Sequence, residues 1–344
     1  MNMRPHHLRK SRSILSAGVL AILLILAACG GGEGATTTAD AGTDTTSADT
    51  EPAETTTQDT TESTAAEGPI GEGQTVTIGW IPWEEDIAVT NLWHAILEEN
   101  GFTVQQQQLD AGLLFEGLAT GDLDLFFDAW LPNTHADYWE RNSDQIADLG
   151  IWLDEAPLTW TVPTYLEDIN SIADLQGNGD LFGGQVVGIE PSAGLTRISR
   201  DEVIPTYGLE GEYELVESST PAMLAELENA INNEEPIVVT LWRPHPAYAQ
   251  YDLKDLEDPE NALGDPDEIH VVARQDFADE FPEVAAAMEN FHFDQATLSE
   301  LEVAVLEDVP EGEELQGAMN WLAENTDYVN AWLEGTGLSV GSGS

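Results

Sequence analysis

From residue 76 onward, short β-branched runs alternate with longer segments of helical periodicity. That alternation restricts the fold to an α/β layer architecture. Val76–Ile81 reads as a strand. Ala88, Leu92, Trp93, Ile96 and Leu97 then recur at helical spacing behind the acidic start Glu84-Glu85-Asp86, and Gly101 serves as a stop. Further extended segments fall at 102–109, 123–129, 157–165, 185–189, 213–216, 236–241 and 269–274. Helical patterns fall at 113–119, 195–207, 223–232, 281–291, 298–306 and 314–332. The expected pairing is mainly parallel. The pieces near 157–165 and 269–274 are candidates for two crossings between lobes. Lobe one would comprise 74–160 and 272–336, lobe two 161–271, with a flexible tail at 337–344.

Ahead of this domain lie two segments of different character. Arg4, Arg9, Lys10 and Arg12 precede an apolar run, Ile14–Ala28, too short for a membrane span and ending in small residues. The run closes Leu26-Ala27-Ala28-Cys29-Gly30, which resembles a bacterial lipobox, so residues 1–28 read as a lipoprotein signal peptide and Cys29 as the lipidation site. Cys29 is the single cysteine, which excludes an intrachain disulfide. Residues 29–73 are rich in Thr, Ala, Asp, Glu and Ser and nearly devoid of large apolar side chains, the composition of a disordered tether. Such a chain spans roughly 35–40 Å. The expected location is the extracellular face of the cell membrane, or its periplasmic side where an outer membrane exists.

The charge balance narrows the partners. The chain has 65 acidic and 10 basic residues. Removing residues 1–28 takes away four basic residues and no acidic one. Nucleic acid is excluded, because phosphate binding needs basic patches. Acidic density of this kind self-repels unless salt screens it, as in proteins of saline habitats. The mature domain is expected to melt at higher temperature as salt rises. Thermal melts across a salt series check this, and equal stability at low and high salt counts against it.

Four sites share one placement. Trp83, Trp130 and Trp242 each follow a strand, and the turn Ser192-Ala193-Gly194-Leu195 follows another and opens a helix. In open α/β sheets ligands bind beyond the carboxyl ends of the strands, and clefts between lobes are usual pockets. A quaternary ammonium has no N–H to donate, so aromatic faces hold it, tryptophan best, at roughly 0.5–2 kcal/mol per ring. Free backbone N–H groups of Gly194 and Leu195 at a helix start suit a carboxylate. His135 adds a donor. Trp93, Trp152, Trp160, Trp321 and Trp332 read as packing residues, as does Trp139, for which a place near the cleft is the alternative. His245 is a candidate for the pocket rim or for orienting the Trp242 loop. Glu84 and Asp128 flank the tryptophans, in positions that also suit a helix-start charge and a strand-end acceptor.

The segments Gly79-Trp80-Ile81-Pro82-Trp83, Asp128-Ala129-Trp130-Leu131-Pro132-Asn133-Thr134-His135, Gly188–Leu195 and Val239-Thr240-Leu241-Trp242-Arg243-Pro244-His245 resemble the glycine betaine-binding proteins of osmoprotectant ABC importers. The resemblance covers about 74–335. It implies a two-lobed type II periplasmic-binding-protein-like fold with the ligand cleft between lobes. It implies a prism of Trp83, Trp130 and Trp242 around the trimethylammonium group, with the amides of Gly194 and Leu195 and the side chain of His135 on the carboxylate. The implied partners are glycine betaine or a similar small zwitterion, and an ABC permease with its ATPase subunit. The lipid on Cys29 would supply the membrane contact. Two departures stand out: Pro246 occupies a position where members often carry tryptophan, and Trp80 is an additional aromatic near Trp83.

No Gly-x-Ser-x-Gly elbow, cysteine nucleophile within the domain, phosphate-cradling glycine loop or histidine cluster is present, so neither catalysis nor a cofactor or metal is expected. Choline, carnitine, proline betaine, ectoine and sulfonium analogues are the alternative cargoes. Choline has no carboxylate to occupy the Gly194/Leu195/His135 end.

Overall fold

The computed structural model of the chain describes residues 69–341. The expected signal peptide, Cys29 and the tether up to residue 68 lie outside the described residues. Among the described residues no helix is long and apolar enough to cross a membrane.

The first half runs β1 (Thr75–Trp80), α1 (Glu84–Glu99), β2 (Thr103–Gln108), α2 (Ala111–Thr120), β3 (Leu125–Leu131), α3 (Ala136–Asn142), β4 (Ile146–Ala156) and β5 (Leu158–Pro163). Next come β6 (Gln185–Val187) and α4 (Gly194–Ile198). A π-helical turn, Ser199–Val203, carries α4 into α5 (Ile204–Thr206). The remainder is β7 (Glu214–Val216), α6 (Thr220–Asn233), β8 (Val239–Trp242), α7 (Ala247–Gln250), β9 (Leu253–Asp255), β10 (Asp267–Arg274), α8 (Phe277–Glu280), α9 (Pro282–Asn290), α10 (Gln295–Glu302), α11 (Glu314–Glu324) and α12 (Thr326–Leu333).

Two five-stranded sheets result, ordered β2-β1-β3-β10-β4 and β7-β6-β8-β5-β9. Each is the centre of one lobe. The pairing is mixed rather than mainly parallel. β1 runs parallel to β2 and β3, and β6 parallel to β7 and β8. β10 runs antiparallel to β3 and β4, and β5 antiparallel to β8 and β9. The antiparallel strands adjoin the crossings, where the chain enters a sheet without a helical return.

The crossings differ from the expected ones by a few residues. β5 lies wholly in the second sheet and β10 wholly in the first, so the chain passes between lobes at Pro157 and again between Asp255 and Asp267. Two ends also differ. Gly71 donates its N–H to the Asn100 carbonyl (2.9 Å), so residues 69–73 are docked. Leu338 and Val340 are buried, so the packed chain reaches beyond 336 into the expected tail. The helix expected over 314–332 breaks at Asn325, whose side chain donates to the Trp321 carbonyl (2.9 Å).

Every residue of β3 is buried, as is every residue of β8. These strands bring Trp130 and Trp242 toward the cleft from opposite lobes. Trp93, Trp152 and Trp160 are fully buried, and Trp321 and Trp332 nearly so. They pack in the core, as the sequence led us to expect.

Candidate ligand-binding site

Each site residue is held by a short local device. At the turn from β1 to α1, Asp86 accepts the Ile81 N–H (2.8 Å) and the Thr90 hydroxyl (3.1 Å), which fixes the intervening Trp83. Burial pushes the Asp86 carboxyl up to about 7. After β3, the loop Leu131–Thr134 folds back. Trp130 donates its N–H to His135 Nδ1 (3.0 Å) and accepts the His135 N–H at its carbonyl (2.9 Å). The carboxylate of Asp267 accepts the N–H groups of Asn133 (2.7 Å) and Thr134 (2.9 Å), anchoring the same loop to β10.

Trp83, Trp130 and Trp242 line one space of ≈ 250 Å³ between the lobes, together with Glu85, Thr134, Leu158, Ile189, Ala193 and Leu195. The Trp83 and Trp242 rings lie 6.0 Å apart at 56°, and Trp83 stacks on His135 at 5.8 Å and 11°. All three indole N–H groups are engaged by carboxyl groups of the protein. Trp130 donates to Asp128 (2.9 Å), Trp242 to Glu85 (3.0 Å) and Trp83 to Glu190 (3.4 Å). The last two bonds cross the cleft. The indole faces are thereby left to meet a ligand.

His135 is fully buried. Its Nδ1 accepts a bond, so its proton sits on Nε2, which has no partner among the described residues. Burial, with the nearby Arg197 charge, lowers its pKa to about 3, so the ring is a neutral donor at physiological pH. Gly194 and Leu195 are the first residues of α4, where N–H groups have no intrahelical acceptor. Leu195 lines the space. Gly194 instead abuts the opposite lobe, where a Cβ would stand 2.0 Å from the Thr134 carbonyl oxygen.

His245 is set back. Its ring meets the Trp242 edge at 4.7 Å and 81°, its Nδ1 accepts the Ala247 N–H (3.0 Å), and Nε2 lies 3.1 Å from Glu84 of the other lobe. It orients the Trp242 loop and faces an outer groove with Glu84 and Pro246.

Sequence reasoning missed three polar residues of this site: Glu85, Glu190 and Asp267. Glu85 read as one of three interchangeable helix-start acids. A usable signal existed for Asp128, since residues two apart on a strand share a face and Asp128 is two before Trp130.

The family model for the substrate-binding domain of ABC-type glycine betaine transport systems matches residues 74–324. The chain belongs to this family. A glycine betaine/carnitine transport binding protein of Listeria monocytogenes is 32% identical over 159 residues, covering 46% of this chain and 51% of that protein. The chain thus matches about half the length of that curated relative. Among solved structures, the glycine/betaine/L-proline-binding protein of Borrelia burgdorferi aligns with a TM-score of 0.72 at 28% identity, over 77% of this chain and 98% of that one. Lactococcal OpuAC, solved closed with glycine betaine, aligns at 0.69 and 29% identity, over 76% and 100%. The glycine betaine-family fold therefore spans both lobes and the cleft that holds the three tryptophans.

Proposed function

We propose that this protein captures a small trimethylammonium zwitterion, glycine betaine foremost, and delivers it to an ABC importer without catalysing a reaction. The observation that carries the reading is the convergence of Trp83, Trp130 and Trp242 from three strand ends on one small space. Their faces attract a cation through the ring quadrupole. The unpaired Nε2–H of His135 and the N–H groups of Gly194 and Leu195 are donors for the carboxylate. Ligand closes the lobes because it touches both, and the closed form is the one a permease recognises. Tethering through a lipid on Cys29 keeps the receptor at the extracellular membrane surface beside that permease.

Carnitine and proline betaine carry the same two groups in a larger frame. Choline would leave His135 Nε2 unpaired, and a buried donor without a partner costs about 1–3 kcal/mol.

A calorimetric panel of glycine betaine, proline betaine, carnitine and choline tests the reading. Wild type is expected to favour glycine betaine. Trp130→Ala is expected to lose about 2–4 kcal/mol, as for a buried aromatic anchor, roughly 30- to 1,000-fold in Kd. Binding of none of the four ligands by wild type, or unchanged affinity in the variant, would sink it.

A further inference from the structure

Three carboxyl groups beside the ligand space have no cationic partner, and one of them lines it. Glu85, Asp86 and Asp128 are all fully buried. The basic residues outside the leader are Arg141, Arg197, Arg200, Arg243, Lys254 and Arg274. Among the described residues none of them pairs with these three acids. Arg197 pairs with Asp137, Arg200 with Asp201 and Glu217, Arg243 with Asp255, and Arg274 with Asp124, Asp276 and Glu280. In a domain so rich in acids, three of them are packed around one cleft with nothing to balance them.

Glu85 stands apart from the other two because it lines the space itself. Its Oε2 accepts the Trp242 indole N–H across the cleft (3.0 Å), while Oε1 is buried with no hydrogen-bond partner among the described residues. Glu190, the other acid that holds an indole across the cleft, is fully used: it also accepts the N–H (2.8 Å) and hydroxyl (2.9 Å) of Thr220. Asp128, bonded to the Trp130 indole N–H, and Asp86, bonded to Ile81 and Thr90, do not border the space.

We propose that Glu85 is a direct ligand-binding residue, its free Oε1 supplying the anionic partner of the bound quaternary ammonium while Oε2 locks Trp242 in place. The inference rests on the trimethylammonium reading above and adds a charged contact to the aromatic one. Burial first, then the charge of Asp128, pushes the Glu85 carboxyl well above the usual range. An isolated buried carboxylate is costly, and an arriving cation is the counter-charge that the protein itself does not provide. The ammonium thus ion-pairs with Glu85 as it meets the tryptophan faces, and a proton held by the carboxyl in the empty site leaves to solvent on binding.

The test compares glycine betaine with its carbon isostere 3,3-dimethylbutanoate, which keeps shape and carboxylate but has no positive charge. Calorimetry on wild type, Glu85→Gln and Glu190→Gln gives the comparison. Glutamine keeps an acceptor for each indole and removes the charge. Glu85→Gln is expected to weaken glycine betaine about 10-fold or more and to leave the isostere unchanged or tighter. Glu190→Gln, which alters the seating of Trp83 and of Thr220 but does not touch the space itself, is expected to change both ligands by the same factor. Should Glu85→Gln weaken both ligands equally, or neither, Glu85 merely positions Trp242 and the inference fails. Failure of wild type to bind any quaternary ammonium overturns the underlying reading, and this one with it. Thermal melts of the three proteins separate a folding defect from a binding one. If Glu85→Gln does not fold, Glu85→Asp is the second variant. It keeps the charge but withdraws it by one methylene, and is expected to weaken glycine betaine selectively.

Discussion

Replacing Gly194 with alanine is expected to weaken glycine betaine binding about 100-fold or more while leaving the thermal stability of the ligand-free domain unchanged or slightly raised. The reason is steric and lies between the lobes. Gly194 opens α4 in the second lobe and sits directly on the loop after β3 in the first. A methyl group there would meet the Thr134 carbonyl oxygen at 2.0 Å and its Cγ2 at 2.6 Å. Neither neighbour can give way cheaply, since the Thr134 N–H is bonded to the buried Asp267 carboxylate (2.9 Å). The added methyl therefore forces the lobes apart. Parting them by about an ångström breaks the cross-cleft bonds Trp83–Glu190 and Trp242–Glu85 and moves the donors at Gly194 and Leu195 out of reach. A displacement of that size in a preorganised site typically costs two orders of magnitude. The helical backbone at 194 is one that any residue adopts, and alanine there restricts the unfolded chain, which is worth about 0.4–1 kcal/mol in the opposite direction. Titration calorimetry paired with a melting curve checks both signs. Near wild-type affinity in the variant would mean that the described lobe contact is not part of the binding form.

Gly194 marks the border between what the sequence discloses and what it does not. Its position in a strand–turn–helix unit is legible because the apolar run 185–189 and the Pro-Ser-Ala-Gly turn are local signals. The same holds for the three tryptophans, expected just past strand ends: Trp83 does follow β1, while Trp130 is the next-to-last residue of β3 and Trp242 the last of β8. What depends on the opposite lobe is not local. Glu85 looks like any acid in a first helical turn, and only the cross-cleft approach of Trp242 separates it from Glu84. Asp267 lies 133 residues from the Thr134 hydroxyl and amide that it holds. β4 escaped notice because Gly150 (φ 130°) and Glu155 (φ 57°) interrupt its alternation and shift its register against β10. Residues 338 and 340 sit amid Gly and Ser, so their composition reads as a tail. They are buried because the Ser339 N–H finds the Asn100 side chain (3.0 Å) and the Val340 N–H that of Asn330 (3.0 Å).

The buried acids also determine how stability depends on pH, and Glu302 offers the cleanest case because it lies outside the ligand space. It ends α10, is 1% exposed, and its Oε1 has no partner among the described residues. Burial, with repulsion from Glu84 and Glu307, raises its pKa to about 8. In the unfolded chain the same group titrates near the ordinary glutamate value, about 4.3. Between those two values the folded state holds a proton that the unfolded state has released. Stability is therefore full below about pH 4, falls as pH rises, and stops falling above about pH 8. Asp86, raised to about 7, acts in the same direction, as do Glu85 and Asp128. Glu302→Gln removes one ionisation while keeping the size of the protonated side chain. The variant is expected to match wild type at pH 4 and to exceed it by about 2–4 kcal/mol at pH 8. For a domain of this size that is roughly 5–10 °C in Tm. Denaturant melts of both proteins at the two pH values read the difference directly. Parallel curves, with the same gap at pH 4 and pH 8, would show that Glu302 titrates normally and that the interior between α10 and the start of α1 is open to water.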